Sequence, residues 1–410
     1  MEKRAVIKLN NDVIMVCGAN RAAIYNFNDG NVYSITENAK KLLGEIYKDK
    51  KLIANSDAKK FITKLINLGL LDIEHIGDFY VEKSSAPSLS FAWLELTEIC
   101  NERCVHCYES FHDKDRNITI LKFDFWKRAI DQLKESGCKS IQLIGGEPLL
   151  YPEILKTIEY AYLNKLETTI FTNATMLDDN IIQFCKEKGV GFRVSLYGHN
   201  AEIHDRITQI SGSFEKTINN IKKIKKQNIP ISIAVIIMKE NQNYIKQIKD
   251  FILNLGLTYN GFDLIRKVYG GCQDEHLVND TEIKKLKYLS FPAFFAEKKF
   301  FQRAIGYNTC WGNKIAITSN GKVIPCVFER DIILGDLKIN NITDIINSEE
   351  FNFISTLSKD KIEICKDCEF RYACKDCRPL GKSLDGNLWG KYAYCTYNPY
   401  LGRWQDVSEH

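Results

Sequence analysis

The residues with the most chemistry to offer in this chain are its cysteines, and they are unevenly spread. Three fall within eight residues: Cys100, Cys104 and Cys107 in CNERCVHC. Seven more follow toward the end of the chain, at Cys310, Cys326, Cys365, Cys368, Cys374, Cys377 and Cys395. Thiolates spaced C-x3-C-x2-C on one loop can converge on a face of an iron–sulfur cluster. The same spacing suits a closed zinc site, with His106 and His112 as nearby fourth ligands. CKDCEFRYACKDC, spaced C-x2-C-x5-C-x2-C, reads alone as a zinc knuckle or as cluster ligands. Cys17, Cys138, Cys185 and Cys272 are scattered. Cys185 lies four residues after Ile181 on the apolar side of a helical pattern, and Cys17 and Cys138 lie in or beside apolar runs, so packing is expected for these three.

The composition narrows the setting. The 410 residues carry a net charge of only +4, which argues against nucleic acid as the main partner. MEKRAVIKLN has no apolar signal core, and no run of about eighteen apolar residues occurs. The expectation is a cytoplasmic protein without a membrane span, and in that reducing compartment clustered cysteines bind metal more often than they form disulfides.

Elements must position these thiols. Residues 1–84 begin with strand-like RAVIKL, VIMVCG and AAIYNF; Asp29-Gly30 marks a hairpin turn, and TENAKKLLGEIY and DAKKFITKLINLGLL show helical stripes. Residues 85–90 read as a polar linker containing Pro87. From 91 to about 300, apolar strands (FAWLELT, SIQLIGG, TTIFTN, FRVSLYG, ISIAVIIM, GFDLIR) alternate with helical patterns. Such alternation implies a parallel sheet covered by helices, and six units make a partial (β/α)6 TIM-type barrel. Reactive groups in barrels lie beyond the C-terminal strand ends. Cys100, Gly145, Asn173 and Tyr197 follow the first four strands in turn. Residues 301–410 are loop-rich and need staples.

Taken in order, these features resemble the radical S-adenosylmethionine (SAM) superfamily. Cys100, Cys104 and Cys107 match its cluster loop, with His106 at a position that lies against the adenine. GGEP, Gly145, Gly146, Glu147 and Pro148, matches the strand end that contacts the methionine amino group. Asn173 in FTNA and Ser195 in SLYG match further SAM contacts. The resemblance implies a 4Fe–4S cluster whose fourth iron is chelated by SAM, and a 5′-deoxyadenosyl radical that abstracts a substrate hydrogen. One departure stands out: where an arginine often meets the SAM carboxylate, three residues beyond an aspartate, this chain has Thr208, and Arg206 is the substitute candidate.

The seven later cysteines resemble a SPASM domain, although two residues rather than three separate Cys374 and Cys377. That resemblance implies two auxiliary 4Fe–4S clusters, three in all. Cys310, Cys326 and Cys377 would hold the first, and Cys365, Cys368, Cys374 and Cys395 the second. Either Cys272 completes the first cluster or its iron is open to a substrate thiolate, the reading adopted. Residues 1–84 resemble the peptide-recognition element of ribosomal peptide maturases, a winged helix-turn-helix with a three-stranded sheet to which a leader peptide adds as a strand. The expected function is therefore crosslinking of a precursor peptide, such as thioether formation, with a flavodoxin or ferredoxin as electron donor. Carbon–carbon or carbon–oxygen crosslinking, epimerisation, sulfatase-maturase-like oxidation and a non-catalytic leader-binding scaffold are the alternatives.

Overall fold

Apolar runs explain the first sheet. A computed structural model describes residues 6–49, 56–79, 88–108, 120–266, 274–279, 282, 292–382, 386–392 and 394–405. Cys272, His112 and Pro87 lie outside the described residues. The chain forms two compact units from interleaved segments. Met1–Pro87, Ile283–Gly312 and Ser355–His410 make the first; Ser88–Glu282 and Asn313–Ile354 make the second. These units divide the chain differently from boundaries at 91–300 and 301–410.

In the first unit, strands β1 (Val6–Asn10), β2 (Val13–Cys17), β3 (Ala22–Asn26) and β4 (Val32–Ile35) precede helices α1 (Glu37–Asp49) and α2 (Ser56–Asn67) and the short β5 (Gly77–Asp78). The antiparallel order is β4-β3-β2-β1-β5, five strands rather than three, because β4 and β5 add at opposite edges. VIMVC and AAIYN do not alternate because both faces of the sheet are covered. Val13, Met15 and Ile24 pack with Leu43 and Ile46 of α1 and Ile62 and Leu65 of α2. Ile14, Val16, Ala23 and Tyr25 pack on the opposite face with Phe301, Phe370 and Tyr372. The Asp29-Gly30 turn forms as expected: Gly30 takes φ 77°, and the Asp29 carboxylate accepts the Asn31 N–H at 2.8 Å. The start of the β4 edge is occupied, since Val32 N–H donates to Phe294 O at 2.9 Å.

The second unit is built on parallel strands. They are β6 (Phe91–Glu95), β7 (Ser140–Ile144), β8 (Glu167–Thr172), β9 (Gly191–Ser195) and β10 (Ile231–Ala234), each hydrogen-bonded to the next. ISIAVIIM, read as one strand, breaks at Val235. Its second half, β11 (Ile236–Ile237), pairs in parallel with β12 (Asp263–Leu264), which supplies the sixth position of the series. The Asn241 side chain stabilises the break, donating to the carbonyls of Tyr197 and Ile236 and accepting the Met238 N–H.

The outer edge of β6 is paired as well. Lys314–Ile317 (β13) runs parallel to it, and Lys322–Ile324 and Gly335–Asp336 extend the sheet antiparallel. This pairing is why Asn313–Ile354 belongs to the barrel unit.

The covering helices follow their sequence stripes. Phe123–Glu135 (α3) buries Phe125, Trp126, Ala129, Ile130 and Leu133 at three- and four-residue spacing. Asp179–Glu187 (α4) is capped by Asp178, whose carboxylate accepts the Ile181 N–H at 2.8 Å, and it buries Cys185 completely. Ala201–Thr208 (α5) is capped by Asn200, and Ser213–Lys226 (α6) begins where the Asp205 carboxylate accepts the N–H groups of Gly212 and Phe214 at 2.7 and 2.8 Å. Cys138 is buried too, while Cys17 is half-buried against the first core.

Phe301 contacts Tyr25, Phe27, Phe79 and Tyr372 edge to face and has no exposed surface. Replacing it with Ala should cost about 3–5 kcal/mol, the usual loss for a buried phenylalanine. Urea unfolding followed by near-ultraviolet circular dichroism would measure it.

Candidate active site at the barrel mouth

The loop that carries the first three thiols leaves the end of β6 and is held from two sides. On one side is the turn after β7. Gly146 N–H donates to Thr97 O and Glu147 N–H to Ile99 O, both at 2.8 Å. A side chain at either glycine would not fit: a Cβ on Gly145 would stand 2.3 Å from Thr97 O, and one on Gly146 2.4 Å from Ile99 O. Gly145 also takes φ 151°, a conformation open to glycine. On the other side is the end of α5. Arg103 N–H donates to Thr208 O, and Val105 N–H to Ile207 O, both at 3.0 Å.

Glu147 locks the arrangement. Its buried carboxylate accepts Thr172 Oγ1 at 2.7 Å, Asn173 N–H at 2.9 Å and Leu149 N–H at 3.1 Å, joining the β7 turn to the end of β8. Asn173 Nδ2 then donates back to Asn101 Oδ1 at 2.9 Å, inside the cysteine loop. Burial pushes the Glu147 carboxyl up to about 7, although three donors oppose the shift. Pro148 opens the single turn that follows.

The structure brings Cys100, Cys104, Cys107, His106, Gly145, Gly146, Glu147, Pro148 and Asn173 to this end of the sheet, with Ser195 ending β9. His106 packs edge to face on Tyr197 at 4.6 Å. Its Nδ1 is buried without a hydrogen-bond partner, and burial lowers the imidazole to about 4, so the ring is neutral. Arg206 is not drawn in. It lies on the exposed side of α5 and donates to Glu240 O at 3.0 Å, because Ile203, His204, Ile207 and Thr208 fill the buried side. The substitution of Arg206 for the missing arginine is therefore not borne out by its placement.

Sequence reasoning passed over two groups. Glu102, inside the loop, is buried; its amide donates to Cys100 Sγ at 3.4 Å, and its carboxylate accepts from Ser213 Oγ and from Cys104 Sγ. Ser213 lies 3.4 Å from His204 Nε2, and His204 Nδ1 accepts the Tyr197 N–H at 3.2 Å. Glu95, at the last position of β6, is buried against Arg330 Nη1 at 3.0 Å and accepts from Tyr108 at 3.2 Å. A carboxylate inside the apolar run FAWLEL was the signal for it.

Among the described residues, no three His, Cys, Asp or Glu side chains are gathered as for a single metal ion. The fit to a metal–sulfur cluster rests instead on the donor set. Burial pushes the Cys100 thiol up to about 12; the Glu102 N–H opposes this, and the charges of Glu147, Glu102 and Cys107 add to it. Burial raises Cys104 likewise, with Glu102, Cys100 and Cys107 adding. Three thiols in an acidic, water-poor pocket call for a cationic centre, which would displace their protons to solvent and offset the carboxylates. The orphaned His106 nitrogen is unused polar surface beside them.

In the first unit Cys365, Cys368, Cys374 and Cys395 are likewise brought together. Burial is the main cause of the raised pKa values of Cys368, Cys374 and Cys395, and the Cys374 thiol is further raised by Cys395 and Cys365, the Cys368 thiol by Cys374 and Cys365. Cys310 and Cys377 belong to this unit and Cys326 to the other.

Two predictions follow from the loop's anchorage. Gly145→Ala and Gly146→Ala should each destabilise the protein by about 1–3 kcal/mol or more through backbone overlap, read from urea midpoints. Glu147 keeps its proton in the folded chain where the unfolded chain, with an ordinary value of 4.5, has lost it. Stability of the metal-free protein should therefore fall as pH rises from about 4.5 to about 7. Glu147→Gln, which cannot titrate, should flatten that slope.

Comparison with known proteins agrees with this geometry. A radical SAM superfamily model matches residues 94–252, and a SPASM iron–sulfur cluster-binding domain model matches residues 310–369. An AdoMet-dependent heme synthase of Methanosarcina barkeri is 28% identical over 351 residues, 78% of this chain and 99% of that protein. The antilisterial bacteriocin subtilosin biosynthesis protein AlbA of Bacillus subtilis is 24% identical over 331 residues, 75% of this chain and 70% of that protein. The solved structure of Streptococcus suis SuiB bound to S-adenosylmethionine has a TM-score of 0.59 at 15% identity, covering 95% of this chain and 100% of that one. SuiB bound to its precursor peptide SuiA gives the same score and coverage. The radical SAM domain binds SAM and a 4Fe–4S cluster, and the SPASM domain binds auxiliary iron–sulfur clusters. With cysteine loop, glycine turn and parallel sheet all in place, the chain is a radical SAM enzyme carrying a SPASM domain.

Proposed function

We propose that this enzyme modifies a ribosomally synthesised precursor peptide, with the leader held by residues 1–84 and the reacting segment at the barrel mouth. The observation that carries this reading is the reach of the SuiB fold. It leaves at most a twentieth of this chain unmatched, so most of the N-terminal sheet-and-helix part has a counterpart in a protein solved with its precursor peptide. The heme synthase match leaves more than a fifth of the chain without a counterpart. The similarity to a subtilosin biosynthesis protein points the same way. A heme-forming activity is the second reading, favoured by the 28% identity.

In this proposal Cys100, Cys104 and Cys107 hold the SAM-binding cluster. The Gly145–Pro148 turn would meet the methionine end of SAM, Asn173 and Ser195 would make further contacts with SAM, and neutral His106 would lie against the adenine. When bound, the cluster and SAM supply a one-electron carbon–sulfur cleavage that generates a hydrogen-abstracting radical. The protein's own part is to fix the thiols through the β7 turn and to exclude water with Tyr197 and His204, both buried. Cys365, Cys368, Cys374 and Cys395 hold one auxiliary cluster; Cys310, Cys326 and Cys377 hold the other. A flavodoxin or ferredoxin supplies the first electron. Intramolecular crosslinking, with a thioether as the leading product, is the reaction assigned; other crosslinks, epimerisation and side-chain oxidation belong to the same chemistry.

The test is anaerobic incubation of reconstituted, reduced enzyme with SAM and the short peptide encoded beside its reading frame. A crosslink removes the mass of two hydrogens from the peptide, and deleting the leader abolishes the change. Release of 5′-deoxyadenosine with an unaltered peptide would count against the peptide reading. No 5′-deoxyadenosine at all would make the protein a scaffold.

A further inference from the structure

The surroundings of Cys365, Cys368, Cys374 and Cys395 contain a buried ion network that no step above uses. Lys359 has 5% of its surface exposed, and its Nζ lies 3.3 Å from Asp376 Oδ1. Arg378, fully buried, donates to the same oxygen at 2.6 Å. Two cations thus share one carboxylate, leaving a net positive charge in the interior. The other Asp376 oxygen accepts Asn308 Nδ2 at 3.0 Å, and Asn308 Oδ1 accepts the Cys310 N–H at 2.9 Å. Asp376 itself stands between Cys374 and Cys377 in the chain. Burial opposes charge on Lys359, yet Asp376 and the thiols of Cys365 and Cys374 outweigh it and raise the ammonium's pKa.

An interior lysine is costly unless it is paired. Here Asp376 alone cannot account for it, because that carboxylate is already matched by Arg378 through a charge-assisted bond. The other groups whose charge acts on Lys359 are Cys365 and Cys374, which are thiolates once they hold a cluster. A reduced iron–sulfur cluster on four thiolates is more negative than an oxidised one. A fixed cation in a low-dielectric site favours the more negative state. The cysteine loop of the barrel has the opposite environment, with Glu102 and Glu147 beside its thiols.

We infer that Lys359 is a positioning residue that raises the reduction potential of the auxiliary cluster held by Cys365, Cys368, Cys374 and Cys395. The inference rests on the assignment of those four cysteines to one cluster. It gives that cluster the character of an electron acceptor and ties its potential to Asp376, whose charge works in the opposite direction.

The experiment uses the full chain in a Cys100→Ala/Cys104→Ala/Cys107→Ala background, reconstituted with iron and sulfide, so that only auxiliary clusters titrate. Potentiometric titration followed by electron paramagnetic resonance reads the midpoints, with iron content as the check on occupancy. Lys359→Met should lower one midpoint, Lys359→Arg should restore it, and Asp376→Asn should raise it. A purely structural role would move the methionine and asparagine variants in the same direction. Unchanged midpoints at full iron content would overturn the inference. Should Lys359→Met lose iron, the arginine and asparagine variants still decide it. Absence of any signal lost on Cys365→Ala would instead overturn the assignment of the cysteines, and the inference with it.

Discussion

Two backbone hydrogen bonds carry the geometry of the barrel mouth: Gly146 N–H to Thr97 O and Glu147 N–H to Ile99 O. They bring the strand ends of β6 and β7 closer than any side chain at Gly145 or Gly146 would allow. Everything that gives the cysteine loop its shape hangs from this approach. Glu147 can grip the end of β8 only because its own backbone is pinned there, and Asn173 can reach Asn101 only because Glu147 holds the Asn173 amide. A circuit of strand end, loop, turn and next strand end therefore closes on itself. Its buried carboxylate tolerates desolvation because three donors meet it.

The opposite side of the loop is held differently. Backbone groups at the end of α5 take the N–H groups of Arg103 and Val105, and the buried Thr208 hydroxyl turns back to Asp205 O. Thr208, which stands where the resemblance calls for an arginine, is thus a small buried side chain under the loop. Glu102, Ser213 and His204 continue this side as a buried polar chain. The loop is fixed by backbone on both flanks, which suits a site whose side chains are committed to ligation.

Much of this was legible in the chain. Apolar runs located the six strands of the barrel because a parallel sheet covered by helices is apolar on both faces, and a helical stripe such as the one carrying Cys185 marked the covering layer. The thiol loop and GGEP were legible because their residue types admit few other uses. What escaped had weaker local signals. The break at Val235 comes from Asn241, six residues further along the chain but acting through space on Ile236 and Tyr197. The pairing of β13 with β6 joins segments more than two hundred residues apart, which no local period encodes. The three-stranded sheet was what the resemblance implied; the hairpin at Asp29-Gly30 already pointed to β4, whereas the two-residue β5 carries too little pattern to be read. Arg206 lies on the exposed side of α5 because helix phase, rather than sequence distance from an aspartate, decides which side a residue occupies.

Glu95 and Arg330 show what the lumen of this half-barrel asks of its residues. A buried ion pair seldom stabilises a fold better than apolar side chains of the same volume would. Here both Arg330 Nη groups meet the Glu95 carboxylate, Tyr108 adds a third donor, and Arg330 lies over the Tyr108 ring at 5.5 Å. Along β6 the lumen face reads Phe91, Trp93, Glu95, so polarity increases toward the mouth, where Trp93 also finds Gln142 at 3.2 Å. An apolar plug would pack more cheaply at that depth. Keeping a polar pair there instead holds Tyr108, the residue next to Cys107, against the strand end. The thiol loop is thereby tied to β6 at its far side as well as through its root.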